Sequence, residues 1–135
     1  MLGDEIGELT GKITSRRILD ATDNEKIEIS IDRKGKLKEI EVTELITYWA
    51  VPRPNGKFYG EGKGVAMSTE KNDTIRFTGS GIGTMESGKF IWRGANFYGI
   101  SSNGHLSSLD NLVAVFEAEN DSNSLDHYIK IWEWK

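Results

Sequence analysis

FYGEGKGVA (58–66) and FTGSGIGTM (77–85) place glycine at alternate positions: Gly60, Gly62 and Gly64 in the first, Gly79, Gly81 and Gly83 in the second. A third run, FIWRGANFY (90–98), adds Gly94. In an extended chain alternate residues share a face, so each run presents a bare stripe on one side. Glycine weakens a strand interior and there marks tight bending or the close approach of something bulky. Three such runs in succession predict a strongly coiled antiparallel sheet, most simply one closed into a barrel.

Turn signals around these runs set an expected register. Asn55-Gly56 reads as a two-residue hairpin, which puts Trp49 beside Gly62 and Val51 beside Gly60. Ser87-Gly88 puts Trp92 beside Gly83, Gly94 beside Gly81 and Tyr98 beside Phe77. If the connection over 69–73 keeps parity, one face holds Trp49, Val51, Phe58, Phe77, Phe90, Trp92, Asn96 and Tyr98 above the glycines. The opposite face carries Glu61, Lys63, Arg76 and Arg93. The uncharged face is expected inside, because an unpaired buried charge is costly and rings over glycine fill a tapered interior.

Upstream, Leu9, Gly11 and Ile13 alternate with polar residues, and Ile27, Ile29 and Ile31 alternate with Glu28, Ser30 and Asp32. Both are half-buried strand patterns. A turn at Lys34-Gly35 leads to a run over 37–53 in which Val42 and Trp49 have opposite parity. A β-bulge near residues 43–45 is expected to reconcile them. Downstream come a loop over 99–111, a strand with Leu112, Ala114, Phe116 and Ala118 on one face, and a last strand ending in Trp132 and Trp134. Tryptophans so near a chain end imply docking against the first strand. The expectation is a single domain (1–135), an all-β, up-and-down, lipocalin-like barrel of about eight antiparallel strands.

Composition bounds the function. The 135 residues contain no cysteine, which excludes disulfides, thiolate metal sites and cysteine nucleophiles. A net charge of −4, with basic and acidic residues interleaved, argues against a nucleic-acid partner. No apolar run approaches a membrane span, and MLGDEIGEL lacks the pattern of a signal peptide, so a cytoplasmic protein without a membrane partner is expected.

The segment TEKNDTIRFTGSGIGTMESGKF (69–90), with YGEGKG (59–64) before it, resembles the central strands of the allene oxide cyclase-like barrels. There an acidic turn leads to a TGGSGIF-like strand and a glycine turn, matched here by Asp73, residues 78–83 and Gly88. The resemblance implies an eight-stranded antiparallel barrel, often oligomeric. Its motif is glycine-dominated and carries over no catalytic residue. The cysteine of the plant cyclase has no counterpart.

The candidate chemistry is sparse. His105 and His127 could pair with Asp110 or Asp126 as metal ligands or acid and base, but no HxH or HxxxH spacing supports this over ordinary surface histidines. GSGIG is not a nucleophile elbow and GEGKG is not a phosphate loop, since neither opens a helix. No metal or cofactor is expected. Glu44, beside the expected bulge, could turn into the barrel mouth as a pocket carboxylate, or point to water. Trp49, Phe58, Phe77, Trp92, Asn96 and Tyr98, with Glu44, form the expected ligand site. The leading reading is a cup for a small apolar or amphipathic ligand. The competing readings are a cyclase- or isomerase-type enzyme using a pocket carboxylate or tyrosine, and an oligomeric structural module with a filled barrel. An apolar outer wall (Ile46, Tyr48, Val65, Met67, Ile82, Ile91, Ala95, Phe97, Val113, Val115) further predicts a homodimer or homotrimer.

Overall fold

The computed structural model describes all residues from Met1 to Lys135. Eight strands follow one another around a closed barrel: β1 (Leu2–Asp20), β2 (Lys26–Leu37), β3 (Ile40–Arg53), β4 (Lys57–Ser68), β5 (Thr74–Glu86), β6 (Lys89–Tyr98), β7 (Val113–Asp121) and β8 (Asp126–Trp134). Every neighbour is antiparallel, and β8 closes on β1 with Leu9 opposite Ile129 and Gly7 opposite Ile131. Closure leaves no unpaired edge.

The glycine-rich strands pair as their spacing implies. Gly60 faces Gly81, Gly62 faces Gly79 and Gly64 faces Phe77 across β4–β5. Trp92 faces Gly83 and Tyr98 faces Phe77 across β5–β6. The rings occupy the space the missing Cβ atoms leave. A Cβ on Gly60 would sit 3.0 Å from the Trp92 ring, and one on Gly64 would overlap the Phe77 ring. Glu61, Lys63, Arg76 and Arg93 lie on the outer wall.

Two turns differ from expectation. The β2–β3 reversal is at Lys38 and Glu39, both at positive φ (47° and 71°), so β2 runs straight through Lys34-Gly35. Parity is unchanged and Ile31 meets Ile46. The β3–β4 connection has three residues, Pro54–Gly56, with Asn55 and Gly56 both at positive φ. One extra residue slips the register by one, so Tyr48 faces Gly62 and Trp49 faces Glu61. Because the side-chain period is two, that slip turns the whole of β3 over.

Trp49 and Val51 therefore sit on the outer wall, while Glu44, Ile46 and Tyr48 point inward. The parity conflict disappears, and β3 pairs without a bulge from Val42 to Arg53. The register irregularities fall in β1 instead, between Ile13 and Ser15 and near Glu5.

The two ends of the barrel differ. At one end the 99–112 connection folds inward and buries Leu106, Leu109 and Leu112. Asp73 fastens it, accepting hydrogen bonds from the backbone N–H of Leu106 (2.7 Å), Asn103 (2.5 Å) and Thr74 (2.9 Å) and from the Ser102 hydroxyl (2.8 Å). Although Asp73 is buried, these donors hold its carboxyl down to about 2. At the other end Phe58 and Phe90 meet with centroids 4.8 Å apart, and Ile13, Ile27, Ile29 and Pro52 help form an open, mainly apolar mouth rimmed by Arg16, Glu25 and Asp121.

Candidate functional site: a polar girdle around an internal cavity

The inward face of β2 continues past Ile27, Ile29 and Ile31 to Arg33, on the same parity. Arg33 is 6% exposed and Glu44, its partner on β3, 1%. Arg33 Nε donates to Glu44 Oε1 at 2.6 Å. The register row through this pair crosses β1 at Gly11, then His127 on β8 and Asn120 on β7. Gly11 places no side chain in the row, and a Cβ there would lie 2.6 Å from Arg33 Cα. Arg33 thus reaches over β1, and its Nη1 lies 3.0 Å from His127 Nε2. His127 Nδ1 lies 2.6 Å from Asn120 Oδ1, and Asn120 Nδ2 lies 3.3 Å from the Tyr48 hydroxyl.

Strands in a barrel tilt, so a row perpendicular to them climbs along the axis. The girdle accordingly rises from Glu44, near the plugged end, to Asn120 at the mouth. It then crosses to Tyr48, four positions along β3 from where it began.

The direction of every bond follows from one fact: guanidinium only donates. His127 Nε2 must accept from Arg33, so a neutral His127 carries its proton on Nδ1 and gives it to Asn120 Oδ1. The Asn120 amide NH2 then faces Tyr48, whose oxygen accepts and whose hydrogen stays free. Burial, reinforced by the adjacent Arg33 charge, pulls His127 down to about 3, so it is neutral at physiological pH. Burial also pushes Tyr48 up to about 12 and raises Tyr98.

Inside the girdle lies a cavity of about 80 Å³. Its walls are Ile31, Ile46, Tyr48, Phe77, Trp92, Asn96, Phe116, Ala118 and Ile129, with Arg33 and His127 at one side. The side opposite is bare backbone at Gly60, Gly62, Gly79 and Gly81, through which the outward Glu61 and Lys63 border it. Tyr48 and Trp92 also line the mouth, a space of about 290 Å³, so these two rings stand between mouth and cavity. Trp92 Nε1 is buried without a hydrogen-bond partner, as are Glu44 Oε2 and the Tyr98 hydroxyl.

Of the residues expected to form a site, Phe77, Trp92 and Asn96 line the cavity and Phe58 lines its mouth. Tyr98 and Glu44 are buried beyond it toward the plug, and Glu44 is engaged by Arg33. Trp49 is outside, under the Lys26 ammonium and edge-on to Tyr59. His105 is exposed in the 99–112 connection, whereas His127 is buried rather than a surface histidine. No cluster of three or more His, Asp or Glu side chains is arranged to hold a metal.

Sequence reasoning names neither Arg33 nor Asn120, expects Tyr48 on the outer wall, and weighs His127 only as a metal or acid–base partner or a surface histidine. Arg33 shares parity with three isoleucines, His127 with Ile129 and Ile131, and Asn120 with Ala114, Phe116 and Ala118. Each polar residue on an otherwise apolar face was a signal for this girdle.

Fold and site together define an eight-stranded up-and-down barrel with a polar girdle around an internal cavity. A solved structure of the conserved protein of unknown function RPA1785 from Rhodopseudomonas palustris is similar throughout. Its TM-score is 0.76 at 14% identity, over 98% of this chain and 97% of that one. At that identity the likeness concerns the fold. No family model and no curated relative matches the chain.

Proposed function

We propose that this protein is a binding barrel for a small amphipathic ligand, which enters at the apolar mouth and lodges its polar end against the girdle. The observation that carries this reading is the adjacency of mouth and cavity, which share Tyr48 and Trp92 as walls, with a buried indole N–H that makes no close hydrogen bond between them. Buried polar groups are ordinarily satisfied, and an unsatisfied donor beside a cavity is the arrangement a ligand acceptor completes. The sequence resemblance to allene oxide cyclase-like barrels over β4–β6 supports the same architecture.

The cyclase- or isomerase-type reading draws less support. Glu44 is held by Arg33, and the displacement of Tyr48 and His127 takes both away from neutrality, where a general acid or base works best. A thermal-shift measurement with C8 amphiphiles tests the binding reading. A ligand at a hundred times its dissociation constant stabilises by about 2.7 kcal/mol, a shift of several degrees for a domain of this size. An unmoved melting temperature across the series removes the reading.

A homo-oligomer formed through the outer wall belongs to the same proposal. Phe97 (51% exposed), Val113 and Trp134 (54%) are open on β6–β8, and Ala95 and Val115 pair in the row beside Phe97 and Val113. The Arg93–Glu117 ion pair (2.9 Å) borders this patch. Ile46 and Tyr48, expected on that wall, belong to the interior.

A further inference from the structure

We infer that the barrel selects a neutral ligand bearing a hydrogen-bond acceptor, such as a ketone, aldehyde or amide oxygen, over a carboxylate or a pure hydrocarbon. The inference deepens the binding reading above and rests on it.

Charge balance excludes the anion. Arg33 is the one inward cationic side chain lining the cavity, and it is already neutralised by Glu44 at 2.6 Å, with both side chains at most 4% exposed. At the mouth Arg16 faces inward beside Ile29, but Glu25 and Asp121 outnumber it there. A carboxylate entering this space would share a guanidinium with Glu44, and two carboxylates in one buried site repel. The outward Lys63 and Glu61, which border the cavity through the bare glycine wall, cancel one another in sign.

Hydrogen-bond direction selects the acceptor. The donor-only guanidinium of Arg33 orders the relay through His127 and Asn120, which ends by donating to the Tyr48 oxygen. The Tyr48 O–H is thereby left to donate. The Trp92 indole N–H, also a donor only, is buried facing the same Tyr48 oxygen but makes no close hydrogen bond with it. The two rings are neighbours, edge-on with centroids 5.6 Å apart, and both line the cavity. Two neutral donors at the junction of cavity and mouth suit one neutral oxygen, with the apolar body of the ligand extending toward Phe58 and Phe90. A hydrocarbon would leave both donors unpaired, a cost that a site built to donate imposes on any analogue lacking the acceptor.

Three C8-to-C9 probes of matched shape separate these claims by titration calorimetry: 2-octanone, its acceptor-free isostere 2-methyl-1-octene, and octanoate. Wild type should bind 2-octanone about tenfold more tightly than either of the other two, the worth of roughly one net hydrogen bond. Tyr48→Phe should bring 2-octanone and 2-methyl-1-octene to within about threefold. Trp92→Phe gives the same test if the tyrosine variant does not fold. Octanoate binding as tightly as the ketone, or an alkene indistinguishable from it in wild type, overturns the selectivity and leaves the binding barrel standing. Binding of none of the three defeats the binding reading itself, and this inference with it.

Discussion

Arg33 and His127 stand 94 positions apart in the chain, yet Nη1 of one lies 3.0 Å from Nε2 of the other, joined across β1 above Gly11. The contact exists because one strand contributes no side chain at that level. A Cβ there would meet Arg33 Cα and Cβ at 2.6 Å. Gly11→Val should therefore displace Arg33 and separate the two halves of the girdle. Overpacking of this kind costs typically about 1–3 kcal/mol. Denaturant unfolding checks it, and a variant as stable as wild type would show that the space over Gly11 is not filled as described.

The Arg33–Glu44 pair makes a sharper demand. Replacing Glu44 alone leaves a buried guanidinium without its counter-charge, so Glu44→Leu should destabilise by about 3–5 kcal/mol. Replacing both partners by apolar residues of similar volume removes the charge together with its cost. Arg33→Met/Glu44→Leu should recover most of that loss in the same denaturation assay. A double variant no better than the single would place the energy in packing.

Acid sensitivity follows from His127. Its folded value of about 3 lies below the ordinary 6.5, so between these limits the unfolded chain binds a proton that the folded chain does not. Stability is then complete above about 6.5 and falls as pH drops toward 3, by at most about 1.4 kcal/mol per pH unit from this group. Asp73, lowered to about 2 from 3.8, adds a second loss between those values. His127→Gln, which can still accept from Arg33 and donate to Asn120, should flatten the profile between pH 6.5 and 4. Melting curves across pH compare the two, and parallel profiles would contradict the buried neutral histidine.

Asp73 also governs the plug. Asp73→Asn keeps the size but weakens acceptors serving Leu106, Asn103 and Ser102. The 99–112 connection should then exchange its amide hydrogens faster, while the β4–β6 core changes little. Exchange mass spectrometry reads this directly. Uniform acceleration throughout the barrel would mean that the plug does not open by itself.

Copies joined through β6–β8 should scatter light as at least twice the 15.1 kDa chain mass at micromolar concentration. Phe97→Lys, at the centre of the exposed patch, should return the mass to one chain. A wild-type protein that scatters as one chain would remove the oligomer from the proposal.

The fold was legible because glycine periodicity is a property of the strand itself. Gly60, Gly62 and Gly64 share one face of β4, and Gly79, Gly81 and Gly83 one face of β5, whatever the turns do, and the Ser87-Gly88 hairpin fixed the pairing beside them. The site was less legible because its residues depend on turn length. Asn55-Gly56 has the composition of a two-residue hairpin, but Pro54, with its fixed φ, joins the connection and makes three. That single residue exchanged Trp49 for Tyr48 inside the barrel. The Lys34-Gly35 signal hid Arg33 in the same way: Gly35 lies within a strand, where a Cβ would sit 2.8 Å from Leu9 Cα. Its role is close approach between β2 and β1, not reversal of the chain.

The most direct test of the binding barrel isolates the interior tryptophan. Trp49, Trp132 and Trp134 are replaced by Phe, leaving Trp92, and the protein is titrated with 2-octanone while its fluorescence is followed. The account predicts a saturable change with one site per chain, abolished by Ala118→Phe, which fills the cavity from β7. No saturable change in the folded single-tryptophan protein, or a change that survives filling the cavity, would contradict it.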